Sequence, residues 1–170
     1  MSSSGTKDAS SGISPEQLAH FRNLLSLDKE CNWFYDGEPI THERTLEVLS
    51  QSLSRNGEGR LIVQIGDAWS YVRTEDCPYC VRAVRESGDP PAKIDLLLSD
   101  GTSEALDPST LAVSSENVLY CRVKGGKEEA RFLRPAYYEL SRHIVSKGED
   151  SFALRMAGGA YPIGERRRPS

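Results

Sequence analysis

The chain reads as an α+β protein: two similar small halves, each a curved antiparallel sheet with a packed helix. Three observations predict this. Strand-like runs bounded by Gly, Asp and Pro turns dominate the sequence, and only three segments carry helical spacing of apolar residues. An order of strand, proline, amphipathic helix and strand occurs twice, from "WFYDGEPI" to "RLIVQI" and from "RFLRP" to "SFALRM". The expected boundaries are a disordered tail over 1–13, an N-terminal half over 14–88, a C-terminal half over 92–164 and a polar tail over 165–170. Whether the two halves are a true repeat stays open.

Ser14-Pro15-Glu16-Gln17 opens the first helix, with Ser14 as cap, Pro15 at the first helical position and Gln17 closing a capping box. Leu18, Phe21 and Leu25 follow at helical spacing. "CNWFYDGEPI" is an extended aromatic stretch turning at Asp36-Gly37. Thr41 is the expected cap of a second helix with Leu46, Leu49 and Leu53 on one face, ending at Asn56-Gly57. "RLIVQI" and "AWSYVRT" form a hairpin across Gly66-Asp67. "KIDLLL", "NVLYCRV" and "ARFL" continue the strands. Pro135 starts a third helix with Tyr137, Leu140 and Ile144 on one face, and "SFALRM" and "AYPI" close the fold. Trp33, Leu49, Leu140 and Ile144 are the expected core anchors.

With 170 residues and 38% hydrophobic content, the chain is long enough to fold without disulfides or metal. A net charge of −4 argues against a general nucleic-acid binder. No apolar run approaches the ~18 residues of a membrane-spanning helix, and "MSSSGTKDASSG" lacks the basic and apolar regions of a signal peptide. The expectation is a cytoplasmic protein, with no membrane and no nucleic-acid partner, whose four cysteines are reduced thiols.

Cys77-Pro78-Tyr79-Cys80 raises the question of a thiol-disulfide oxidoreductase. Such a dithiol needs its first cysteine at a helix N-terminus, where the dipole holds the thiolate. Ser87-Gly88-Asp89-Pro90-Pro91 stops any helix soon after Cys80. Between "KIDLLL" and Pro108 there is no room for the second helix of that fold. The stretch is therefore read as a strand. A zinc site would want two ligand pairs, and C-x-x-C occurs once; Cys31 and Cys121 read as small buried hydrophobes. No metal and no cofactor is expected.

No catalytic residues assemble from the sequence. His20, His42 and His143 show no shared spacing and read as surface histidines. Glu75 and Asp76 are either paired carboxylates for acid–base work or a loop in which Asp76 bonds the backbone before Pro78. Arg131, Arg134 and Arg142 either bind an anion bidentately or solvate a helix face. Trp33, Tyr35, Trp69 and Tyr71 alternate with other residues along strands, half core and half groove wall. The candidate ligand site is thus Trp33, Tyr35, Trp69, Tyr71, Glu75, Asp76, Arg131 and Arg134, at the seam of the two halves. Arg166, Arg167 and Arg168 read as a solvated tail.

The order of these motifs resembles the bacterial domain-of-unknown-function family 1285. Trp33, Tyr35, Gly37, Pro39 and Ile40 match its aromatic opening, and Glu75, Asp76, Pro78 and Tyr79 match its "E-D-x-P-F" strand entry. Arg131, Pro135, Tyr137, Tyr138, Glu139 and Leu140 resemble its arginine-bearing third helix, and "GGAYPIG" its terminal motif. "GDAWS" and Arg155-Met156 depart from the pattern. The similarity spans about residues 28 to 164. Uncharacterised protein family 0598, with mitochondrial members, shares the aromatic opening. The resemblance implies a small α+β protein with no established enzymatic activity and a role in ligand binding or signalling. The functional expectation is a non-enzymatic module binding a small polar or anionic ligand or a protein partner. The alternatives are a hydrolase or isomerase using Glu75, Asp76 and Arg131, or an oxidoreductase through Cys77 and Cys80.

Overall fold

The computed structural model describes residues 14–20 and 23–167, apart from the side chains of Ala19 and His20. The expected tail over 1–13, Phe21, the His20 side chain and Arg168 lie outside the described residues. Two compact units, Met1–Pro78 and Tyr79–Ser170, divide the chain.

The first unit starts with helix α1 (Pro15–His20), opened by the expected capping box: Ser14 N–H donates to Gln17 Oε1 at 2.8 Å and Gln17 N–H to Ser14 Oγ at 3.2 Å. Strand β1 (Leu25–Leu27) follows, so Leu25 lies on a strand and not on the first helix face. Strands β2 (Trp33–Tyr35) and β3 (Glu38–Pro39) turn through Asp36 and Gly37, both in the left-handed region at φ 49° and 83°. Helix α2 (Glu43–Gln51) is capped by His42, whose ring accepts the Thr45 N–H, and not by Thr41. It ends earlier than its apolar spacing suggests. Leu53 opens strand β4 (Leu53–Arg55), and Asn56-Gly57 turns it into β5 (Leu61–Ile65). Gly66 and Asp67 then connect β5 to β6 (Ala68–Thr74).

These strands form one sheet in the order β3-β2-β1-β6-β5-β4. It is mixed, because β1 runs parallel to β6. Paired residues share a face of a sheet. The registers therefore put Leu25, Leu27, Trp33, Val63, Ser70 and Val72 on one face, and all are buried, as are Leu18 of α1 and Leu49 of α2. Trp33 Nε1–H donates to Ser50 Oγ of α2 at 3.0 Å, so the indole's polar edge is satisfied inside the core.

The second unit begins with a long hairpin, β7 (Tyr79–Gly88) and β8 (Pro91–Leu98), followed by β9 (Ser103–Ala105). After a one-turn helix over Pro108–Thr110 come β10 (Ala112–Val113), β11 (Leu119–Val123) and β12 (Glu128–Phe132). Helix α3 (Arg134–Ser141) lies against β7 with Ala136 and Leu140 buried. Strands β13 (Ile144–Gly148), β14 (Ser151–Met156) and β15 (Gly159–Pro162) form a separate meander, and β16 (Gly164–Glu165) rejoins the main sheet. That sheet has the order β16-β10-β11-β12-β7-β8-β9, with β12·β7 and β10·β16 parallel. Ile144 starts β13, half-buried, and is not the third apolar residue of a helix. Leu53 and Ile144 share one cause. Apolar spacing ran on past each helix because the strand that follows it begins with an apolar residue.

The architecture is thus α+β, mostly strands, with two main sheets and a small third one. Helix then hairpin recurs in both units, but β4 and β5 join the first main sheet while β13 to β15 stand apart from the second.

Candidate functional site

Of the eight residues singled out from the sequence, six lie in the first unit and two in the second. The first sheet separates its aromatics. Trp33 and Tyr35 pair with Leu27 and Leu25 and share the core face, whereas Trp69 and Tyr71 alternate with Ser70 and Val72 and stand on the opposite face. The four therefore do not line one wall. Trp33 is 4% exposed and belongs to the core.

Trp69 and Tyr71 form a different arrangement. Their rings meet edge to face with centroids 4.9 Å apart, and both are half-buried. The Arg60 guanidinium stacks over the Tyr71 ring at 3.6 Å, and Arg73, exposed, shares their face. Arg60 was not legible as a partner, because it precedes β5 by one residue and only the pairing of Ile62 with Tyr71 brings it across.

Glu75 is exposed, and its N–H donates to Leu27 O, extending the β1·β6 ladder. Asp76 is half-buried beside it. Cys77 is buried, and its carbonyl accepts from Cys31 Sγ at 3.7 Å. Cys80 lies within β7, where its N–H donates to Ser99 Oγ and its carbonyl accepts from Ser99 N–H. The strand reading of that stretch holds, and Cys80 heads no helix. All four cysteines are buried, and none forms a disulfide. Burial, with Glu104, Glu129 and Asp107 nearby, pushes the Cys121 thiol up to about 12.

In the second unit Arg131 is half-buried and donates to Tyr120 Oη at 3.4 Å, while Arg134 is exposed at the start of α3. The reading of Arg166 as solvated tail is overturned. Its side chain is 8% exposed and donates twice to the Glu129 carboxylate, at 3.0 and 2.7 Å. The guanidinium also stacks on Tyr120 at 3.8 Å. The run of three arginines hid this, because β16 pairs with β10 and brings Arg166 back onto the sheet.

His143 is a second correction. It is 7% exposed, not a surface residue, and its Nε2 hydrogen-bonds Glu86 Oε2. His143 sits where α3 gives way to β13, and Glu86 projects from the face of β7 that carries buried Val81. Arg142 approaches Glu86 at 3.7 Å from a solvent-exposed position. His42, by contrast, is exposed at its helix cap.

An open groove of about 160 Å³ runs along β7 and β8, lined by Ala83, Val84, Leu96 and Leu97 with Arg85 and Asp95 beside them. None of the candidate acid–base residues lines it. Among the described residues, no three or more His, Cys, Asp or Glu side chains are grouped to hold a metal ion. No helix of the described residues is long and apolar enough to cross a membrane.

The fold is that of known DUF1285 family structures. A DUF1285 family protein from Silicibacter pomeroyi DSS-3 is similar over 86% of this chain and 86% of its own, with a TM-score of 0.64 and 21% identity. A second, from Shewanella baltica OS155, is similar over 70% of this chain and 91% of its own, with a TM-score of 0.56 and 15% identity. The expectation raised by the motifs is met at the level of fold. No family model matches the sequence, and no curated protein matches it.

Proposed function

We propose that the chain is a bacterial, cytoplasmic member of the DUF1285 family that acts as a non-enzymatic binding module. Its binding surface is the face of the first sheet bearing Trp69 and Tyr71. The observation that carries this reading is the edge-to-face pair of half-buried rings with Arg60 stacked on one of them and Arg73 on the same face. Rings supply a flat apolar platform, and the arginines supply charge and directional donors. A small anionic ligand with a planar group suits both.

The carboxylates support a binder over a hydrolase or isomerase. Glu75 is exposed and the Arg131 guanidinium is engaged by Tyr120. Acid–base work wants groups held within about 3 Å of a shared reacting atom.

A thermal-shift panel of aromatic carboxylates and nucleotides tests the proposal. A true ligand at 100 times its dissociation constant should add about 2.7 kcal/mol of stability. In a Trp33→Phe background Trp69 is the one remaining tryptophan, so its fluorescence should change on binding, and Trp69→Ala should abolish the shift. A ligand whose shift survives both Trp69→Ala and Arg60→Ala would place the binding surface elsewhere.

A further inference from the structure

Residues 164–166 lie as an extended strap along a sheet edge. Strand β16 has two residues, and it adds in parallel to β10, itself only two residues long. Gly164 N–H donates to Leu111 O at 3.0 Å and Arg166 N–H to Val113 O at 2.8 Å. These are the contacts of an extended segment laid on a sheet edge. The side chain beyond them enters a built slot. Tyr120, 3% exposed, is the floor under the Arg166 guanidinium, and Glu129 meets that guanidinium with both carboxylate oxygens. Arg131 donates to the Tyr120 hydroxyl at 3.4 Å.

Parallel bidentate bonding plus stacking is how arginine, and not lysine, is selected. So short a strand needs more than two backbone bonds to stay docked, and the arginine supplies it. With only two backbone bonds holding it, such a strap is expected to open at lower cost than the core strands beside it.

We propose that the β10 edge with the Tyr120–Glu129 slot is a recognition site for an extended, arginine-bearing segment of a partner protein. Residues 164–166 occupy it in cis and must be displaced. Charge complementarity decides the partner's chemistry: the slot presents one carboxylate to one guanidinium, and the edge requires two to three residues of extended backbone before it.

The test uses the full chain carrying Arg166→Ala and a fluorescein-labelled peptide of residues 161–167, with a second peptide bearing alanine in place of Arg166. The arginine peptide should bind saturably to this variant, and about tenfold or more tighter than to the wild type, whose own strap competes. The alanine peptide should lose about tenfold or more in affinity, as should the arginine peptide when Glu129→Gln is added to the chain. No saturable binding, or binding indifferent to the peptide's arginine and to Glu129, overturns the proposal. Wild-type dimerisation that the peptide reverses assigns the slot to a second copy and overturns the partner reading. If Arg166→Ala loses its cooperative unfolding transition, wild-type hydrogen exchange decides. The Gly164 and Arg166 amides should exchange about tenfold or more faster than the β11·β12 amides. Equal exchange would mean that the strap opens only with the whole unit, which also overturns the proposal.

Discussion

Glu86 hydrogen-bonds His143, so a carboxyl group on the core-facing side of β7 is tied to the residue that links α3 to β13. The carboxylate is 11% exposed and the imidazole 7%. Glu86 Oε1 is buried and has no protein partner among the described residues. A buried hydrogen bond of this kind contributes modestly to net stability, but removing either member takes a hydrogen-bond partner from the other.

Truncation at either end should therefore be costly. Glu86→Ala or His143→Ala is expected to lose about 1–3 kcal/mol, read as a fall in the denaturant midpoint, because each leaves a buried polar group short of its partner. Replacing both by leucine should recover most of that loss, since neither buried polar group is then left without its partner. Additive losses in the double variant would mean that the two residues act independently.

A strict alternation counted from Val81 puts Ala83 and Arg85 on the core face. The ladder slips between Val81 and Ala83, and the extra residue, Arg82, shifts every later side chain to the other face. Val84 and Glu86 turn inward, opposite Leu96 and Ile94. That bulge is invisible in composition, which is why the Glu86–His143 pair was not legible while β7 and β8 were legible as strands. The capping box at Ser14 and Gln17 and the Gly66-Asp67 hairpin were legible because both are local. Faces were not, since they depend on register: Trp33 and Trp69 lie on similar aromatic strands and stand on opposite sides of one sheet. Arg166 was missed for the same reason, because its partner Glu129 is 37 residues away.

The buried thiols yield a chemical prediction. Cys121 is pushed up to about 12, and Cys31, Cys77 and Cys80 are at most 3% exposed. An aromatic disulfide reagent needs an accessible thiolate. Native protein at neutral pH should therefore be labelled only at its unfolding rate, and all four thiols should react at once in denaturant. Rapid native labelling, or turnover of a glutathione mixed disulfide lost in Cys77→Ser, would restore the oxidoreductase reading.

Core packing gives a graded test in each unit. Leu49 of α2 and Leu140 of α3 are fully buried, whereas Leu46 is half-buried. Leu49→Ala and Leu140→Ala should each cost about 2–5 kcal/mol through lost transfer energy and the cavity left behind. Leu46→Ala should cost clearly less. Equal midpoints for Leu46→Ala and Leu49→Ala would show that α2 buries a different face.

The last prediction concerns acid. Lys124 Nζ donates to Asp100 Oδ2 at 2.7 Å and Thr102 donates to Oδ1, while Lys124 N–H donates to Glu104. Together these bonds pin the β11–β12 turn to the β8–β9 turn. Burial pushes the Asp100 carboxyl up, but hydrogen bonds from Lys124 and Thr102, with the Lys124 charge, outweigh it and hold the group below its ordinary value. In the unfolded chain the same carboxyl titrates near 3.9. The folded protein thus binds fewer protons at Asp100 than the unfolded chain does across that interval. The resulting stabilisation is complete above the unfolded value and is lost as pH falls through the lower folded value. Asp100→Asn should cost about 1.5–3 kcal/mol at neutral pH, the range for a hydrogen bond to a charged group. That deficit should shrink steadily as urea midpoints are measured from about pH 5 down to about pH 2. Lys124→Met should show the same convergence, because it removes the cation that holds Asp100 ionised. A deficit that stays constant over this range would mean that Asp100 supports the turn by shape alone and its charge contributes nothing.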